Sequence, residues 1–440
     1  MKRYQGLLLI MLCFLSQISS AVDLKTVSID AKITDDSAFV AKALLTFTLE
    51  EQGDVKFFLN RAMCIEKVVL GANEPVIWKQ EDSIFVLNKL KAGNHNVTIS
   101  FRGVFPPELA EKSMIEASNQ RVCLKDLNFW HPTIPMDCFS YAIKLDLPAN
   151  LRGVSCGKLI SRKIRNGREI TQWEAPKVRT CGFILAAPFK VKTFSKDGIT
   201  ASLYWTNLKF KNTESFLKKG IELISFFKAQ YGIWPYSNIT FIEDSLMPTT
   251  NGRGINGAVF LSTRALEKCV FTKNSKSLTG FVAHEVSHLI WGSLVTDFPT
   301  KDSTFSFFLM TEGFAHFSAL IYLAAHNPED FNAFADSLKN HWRDFPANSP
   351  YKFNAADMTV PKMSHIAKCG FFLYDLKRQL GDDIWFKAVH RVLRKNIWNL
   401  ASFREIEDII QSQKQDIAPY LEKWYSSTDL FPPGILYPRF

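Results

Sequence analysis

The chain has 440 residues, 47% hydrophobic and 22% charged. That is a globular balance with more apolar material than one compact core absorbs, so a single small domain is excluded and two or three are predicted. The net charge of +10, from 53 basic and 43 acidic residues, is spread along the chain without a cluster, which argues against nucleic-acid recognition and for a solvated basic surface.

At the start of the chain, Lys2 and Arg3 precede an apolar run from Leu7 to Leu15, and Ser19, Ser20 and Ala21 supply small residues before Val22. This is the pattern of a cleavable secretory signal over residues 1–21. Cys13 lacks the adjacent small residue of a lipoprotein signal. No later run approaches the roughly 18 consecutive apolar residues that span a bilayer. The expectation is an exported protein, periplasmic or secreted, with no transmembrane segment.

From Val22 to about Thr193, short alternating segments are separated by turn residues. Residues 55–59, 83–87 and 96–101 read as strands, with Gly93-Asn94 and Asn166-Gly167 as hairpin turns. Seven cysteines lie beyond the signal. Their number is odd and no CxxC pair occurs, which speaks against a cysteine zinc site. Cys123 with Cys138, and Cys156 with Cys181, stand at separations a hairpin could close, and are the candidate disulfides. Asn96-Val97-Thr98 and Asn238-Ile239-Thr240 fit the glycosylation pattern, both on predicted strands.

After about Thr200 the pattern changes. Residues 214–231 place Phe216, Ile221, Ile224 and Phe227 near helical spacing, and Gly232 ends the run. Strands follow at 239–242 and 259–261, then helices at about 277–292, 309–325, 367–380 and 403–413. The reading is multidomain: an all-β amino-terminal domain, residues 22–195, precedes an α+β domain, residues 196–440.

The chemistry lies in His284-Glu285-Val286-Ser287-His288. On a helix, histidines four apart stack on one face, so both imidazoles reach one metal while Glu285 stays within reach of a water there. A hydrolytic zinc takes three protein ligands and keeps an open position. Glu312, on a second apolar helix, is the candidate third ligand. Such an ion would act as a Lewis acid on a scissile carbonyl, with Glu285 moving the proton from water to the leaving amine. The same pentapeptide also suits a structural helix that carries two histidines and no metal.

The blocks Val282–His288, Trp291–Thr296 and Thr311–Ala315 resemble the zinc site of the aminopeptidase N and leukotriene hydrolase-like gluzincins, peptidase family M1. Tyr231–Tyr236, Trp130-His131-Pro132 with Leu147-Pro148, and Leu421–Trp424 with Pro432 extend the similarity over nearly all of the chain beyond residue 21. The resemblance implies a β-sandwich-like domain followed by a thermolysin-like catalytic domain, in a short form without the family's large helical carboxy-terminal domain. It implies one Zn2+ per chain held by His284, His288 and Glu312, Glu285 as general base, and a peptide or protein substrate.

Three departures accompany it. Between His288 and Glu312 lie 23 residues, five more than the family places there, and residues 298–304 are where a loop absorbs them. The strand that carries the family's amino-terminus-binding glutamate matches Gly252–Phe260, which has no acid. Arg253 stands there instead, with Gly254, Asn256 and Gly257 as candidate substrate-binding positions. Glu243 and Asp244 are either replacement acids or surface charges. The family's oxyanion tyrosine, aligned through Lys368, falls at Ile366, leaving His365 as a candidate donor and Tyr351 behind it. Two readings follow: a zinc peptidase of altered specificity, or a non-catalytic relative that binds a peptide or protein in the cleft.

Overall fold

The computed structural model describes residues 22–440 apart from 73, 75, 106–113, 207–211, 248–250, 272–275, 298–303, 344–362, 414–415, 428, 433 and 436–440. Side chains at 270–271, 276–278, 304–305, 341–343 and 363–365 are also left undescribed. The predicted signal at 1–21, the loop at 298–303 and Tyr351 lie outside the described residues.

Among the described residues up to Trp205, sixteen strands occur: β1 (Val22–Ile33), β2 (Phe39–Leu49), β3 (Gly53–Phe58), β4 (Met63–Leu70), β5 (Trp78–Glu81), β6 (Ile84–Leu90), β7 (Gly93–Gly103) and β8 (Glu116–Ala117). Then come β9 (Val122–Leu124), β10 (Cys138–Pro148), β11 (Arg152–Ser155), β12 (Lys158–Arg165), β13 (Arg168–Arg179), β14 (Ile184–Ala187), β15 (Lys190–Lys196) and β16 (Ile199–Trp205). A seven-stranded sheet runs β12-β13-β10-β1-β2-β7-β4, accompanied by sheets β11-β14-β9-β8 and β3-β6-β5. Period-two alternation explains the strands: in β2, Phe39, Ala41, Ala43, Leu45, Phe47 and Leu49 are buried while Lys42 and Leu44 face out. Asn166 and Gly167 make the β12–β13 turn with positive φ at both residues. Gly93 and Asn94 instead open β7, opposite Leu49 and Thr48.

Three further strands, β17 (Asn238–Asp244), β18 (Gly252–Ile255) and β19 (Ala258–Ser262), join β15 and β16 in a five-stranded sheet of order β15-β16-β17-β19-β18. Its helices are α1 (Thr213–Tyr231), α2 (Thr263–Phe271), α3 (Lys276–Ser287), α4 (Thr304–Phe308), α5 (Phe314–His326), α6 (Pro328–Arg343), α7 (Met363–Leu380), α8 (Asp382–Lys395), α9 (Phe403–Ser412) and α10 (Ala418–Ser426). A β-rich amino-terminal region is thus followed by a carboxy-terminal part in which helices dominate.

This sheet is buried on both faces. Ile239, Phe241, Val259 and Leu261 belong to the helical core, whereas Tyr204, Ile242, Ala258 and Phe260 belong to the core of the amino-terminal sheets. Double burial turns β17 and β19 into near-continuous apolar runs. Edge strand β18 lies against α3.

The candidate disulfides are not formed: all seven described cysteines are free thiols. Cys123 sits in the four-stranded sheet and Cys138 opens a strand of the seven-stranded one, so the hairpin their spacing suggested does not exist. Lys158 pairs with Glu174, which leaves Cys156 and Cys181 out of register. Burial pushes the Cys123 thiol up to about 12 and raises Cys156 and Cys181 too, so these sulfurs stay protonated and unreactive.

Candidate metal centre

Val282, Ala283 and Val286, continued by Leu289 and Ile290, are buried in the helical core and give α3 its apolar side. The sequence predicts a helix to Gly292, yet α3 closes at Ser287. The amides of Leu289 and Ile290 turn back by three residues, to Val286 and Ser287, and the chain reverses at Gly292, whose φ of +121° a side chain would resist. His288 therefore lies just past the helix end, where its Nδ1 donates to the Trp291 carbonyl at 3.1 Å. Trp291 itself is core, stacked on Phe314 with centroids 3.9 Å apart.

The second helix starts earlier than predicted, at Thr304. Between α4 and α5 it makes one π-helical turn, Leu309–Gly313, that carries Glu312. A π turn inserts a residue into the helical register and is frequent at functional sites. Residues 306–326 are apolar and long enough to cross a bilayer by composition, but 83% of their most apolar window is buried within the fold.

His284 Nε2 lies 3.1 Å from His288 Nε2 and 3.4 Å from Glu312 Oε2, and His288 Nε2 lies 3.7 Å from that same oxygen. A tetrahedral zinc with metal–nitrogen bonds of about 2.0–2.1 Å sets its ligand atoms about 3.3 Å apart. The triangle has that size, so the donor set fits the metal. Its electrostatics fit as well. Burial holds His288 down at about 4. Burial would raise Glu312, but His288 and the hydrogen bond with His284 hold it below the usual carboxylate range. Burial would lower His284, and Glu312 with Glu285 reverses the sign and raises it.

Glu285 is 5% exposed, and desolvation raises its carboxyl to about 7, with the His284 and Arg253 charges and the Gly254 amide opposing. Gly254 is pressed against α3: a β-carbon there would lie 1.9 Å from the Glu285 carbonyl oxygen and 3.0 Å from the His288 Cβ. Asn256 and Gly257 form the β18–β19 turn. The Asn256 amide is engaged with the Arg179 and Cys181 backbone.

Glu243 and Asp244 are neither surface charges nor open acids. Glu243 accepts from Thr206 and Thr263, and Asp244 is paired with Lys125 at 2.6 Å in a buried bridge. Arg253 pairs with buried Asp126 at 2.5 Å. Ile366 is buried on α7. His365 lies on the same helix with its side chain among those not described. One residue near the metal triangle was not foreseen: His316, a turn beyond Glu312, whose ring is 4.3 Å from that of His284. Its i,i+4 spacing from Glu312 was the available signal.

Fold and site together give a β-rich amino-terminal region followed by a helix-dominated part that brings His284, His288 and Glu312 to one point. No protein-family model matches the sequence, and no curated protein does. Among solved structures the chain is similar to an M1 zinc metallopeptidase from Deinococcus radiodurans, with a TM-score of 0.75 and 13% identity over 96% of this chain and 97% of that one. A mutant of that metallopeptidase bound to a Tyr-Ser-Ala substrate gives a TM-score of 0.72 and 14% identity over 94% and 97%.

Proposed function

We propose that the chain is an exported zinc peptidase, with a thermolysin-like catalytic domain, that hydrolyses peptide bonds. The observation that carries this reading is the convergence of His284, His288 and Glu312 on one point with Glu285 buried beside it. These three residues would hold one zinc, which when bound supplies Lewis-acid polarisation of the scissile carbonyl and acidifies water. Glu285 is the base: its carboxylate takes a proton from the attacking water and delivers it to the leaving amine. Burial raises that carboxyl, which favours its holding the proton between the two transfers. Gly254 and Arg253 steady the ionised form. The structural neighbour bound to a Tyr-Ser-Ala substrate supports a peptide as the substrate class.

Specificity differs from that of an aminopeptidase. Outside the metal centre, the acids Glu243, Asp244 and Asp126 around the cleft strand are committed to Thr206, Lys125 and Arg253. None is offered to a substrate ammonium. The same observation, with Ile366 in place of an oxyanion donor, favours a second reading in which the cleft binds a peptide or protein and turns over slowly or not at all. Losing such a donor costs about 10²–10³ in rate.

Metal analysis and a panel of aminoacyl and internally quenched peptides separate the readings. The expected result is one zinc per chain and cleavage that falls by about 10²–10⁴ in Glu285→Gln. Stoichiometric zinc with wild type and variant alike on every peptide would sink the peptidase reading and leave the binding one.

A further inference from the structure

His288 and His284 are treated differently by their surroundings. A metal-ligating histidine donates its second ring N–H to an acceptor, which fixes the tautomer and the ring orientation. His288 does so, to the Trp291 carbonyl at 3.1 Å. His284 turns Nε2 toward His288 and Glu312, and its Nδ1 is buried with no hydrogen-bond partner among the described residues. A ligand position this enclosed needs an acceptor.

His316 is the group placed to be one. It lies on the Glu312 face of the second helix, one turn on, and its ring meets the His284 ring at 4.3 Å between centroids and 65° between planes. Side-chain donor atoms of His284, Glu312 and His316 all fall within 4.8 Å of one another. Its tautomer follows from chemistry: Nδ1 is 2.9 Å from the Glu312 carbonyl oxygen, which only accepts, so Nδ1 bears the proton and Nε2 a lone pair. The neutral ring therefore accepts at Nε2 and cannot donate there to an oxyanion. The ring is also locked in place. Phe334 stacks on it with planes 24° apart, and α7 approaches so closely that a β-carbon on Gly370 would lie 2.4 Å from the His316 Cβ.

We propose that His316 is the positioning residue of the metal centre, accepting the Nδ1 proton of His284 when the metal is held while its own Nδ1 stays anchored on the Glu312 backbone. This rests on the zinc reading above. The two ligand-bearing elements are then tied through an imidazole–imidazole link. A neutral acceptor enriches His284 less than a carboxylate would, leaving the metal a stronger Lewis acid and easier to remove.

The test uses full-length protein stripped of metal, zinc affinity by chelator competition, and the visible and X-ray absorption spectra of the cobalt-loaded form. His316→Phe keeps the packing and removes the acceptor, and is expected to bind zinc about 10–100-fold more weakly. His316→Gln returns an acceptor to the Nε2 position and is expected to restore affinity to near wild type. Wild type and both variants should show the same number of nitrogen ligands on cobalt. Should the Phe variant fold poorly, His316→Leu against His316→Gln gives the same contrast. Equal zinc affinity in the Phe or Leu variant reduces His316 to packing and overturns the proposal. A nitrogen ligand lost from cobalt overturns it too, by making His316 a ligand itself. Wild-type protein that binds no zinc defeats the zinc reading, and this proposal with it.

Discussion

His131 shows what a single buried titratable ring costs away from the metal centre. Its Nδ1 lies 3.0 Å from the Pro132 carbonyl and its Nε2 accepts from the Gly182 amide at 3.2 Å, so the fold needs the neutral Nδ1–H tautomer. Burial holds the ring down at about 4, against 6.5 in the absence of burial. Above about pH 6.5 the ring is neutral in folded and unfolded chains alike and stability is complete. As the pH falls from there to about 4 the unfolded chain takes up a proton that the folded one refuses, and about 3 kcal/mol is lost. Denaturant titrations at pH 7 and pH 4 should therefore show wild type losing about 3 kcal/mol more than His131→Gln over that interval; equal losses would mean that His131 is not held neutral. At this scale some roles were legible in the sequence and others were not. The i,i+4 spacing of His284 and His288 could be read directly, although His288 stands one residue past the end of α3. The environments of Glu243 and Asp244 depend on Thr206, Thr263 and Lys125, partners 20 to 119 positions distant, and no local pattern announces them.

Between elements, the approach of β18 to α3 decides where Glu285 can stand. Edge strand and helix meet without a side chain between them, because Gly252 and Gly254 present only backbone: a β-carbon on Gly252 would lie 2.8 Å from the Glu285 Cδ. Gly254→Ala adds a methyl 1.9 Å from the Glu285 carbonyl oxygen. Neither partner there is a flexible side-chain end, so strand and helix must separate. Overpacking of this kind costs about 1–3 kcal/mol, and a clash between backbones belongs at the upper end. The expected outcome is a lowered denaturant midpoint and weakened zinc binding together. Gly53→Ala, where nothing lies within 4 Å, should leave both within error. Element types were legible wherever periodicity was strong, as in β2 and α1. Ends were less so: α3 stops at Ser287 because its last amides turn back by three residues, and the π turn at Glu312 leaves no mark in apolar spacing. Helices α2, α6, α8 and α10 were absent from the prediction. They alternate charged and apolar residues on short amphipathic faces, and their type is settled by the core against which those faces pack.

For the whole molecule, the sheet β15-β16-β17-β19-β18 joins two cores into one body, and two devices compete for the credit. One is apolar: Tyr204, Ile242, Met247, Ile255, Ala258 and Phe260 are buried in the amino-terminal core, and at about 1.5–3 kcal/mol for each large side chain they contribute on the order of 10 kcal/mol. The other is a polar clamp. Buried Arg179 donates to the carbonyls of Met136, Ser293, Leu294 and Asn399, and the Asn256 side chain bonds the Arg179 amide and carbonyl and the Cys181 carbonyl. Asn256→Gly isolates the clamp, because glycine accepts the φ of +51° found there without strain. It removes the partner of the Arg179 amide and of the Cys181 carbonyl in a dry junction, each costing about 1–3 kcal/mol if no water replaces the lost bond, while the Arg179 carbonyl still accepts from the Cys181 amide at 2.8 Å. The clamp is thus worth a few kcal/mol against roughly 10 from the shared wall. Asn256→Gly should lower the unfolding midpoint while tryptophan signals from the amino-terminal Trp130 and the helical Trp385 still change together. If the two transitions come apart, the polar clamp rather than the apolar wall is what makes the two cores fold as one.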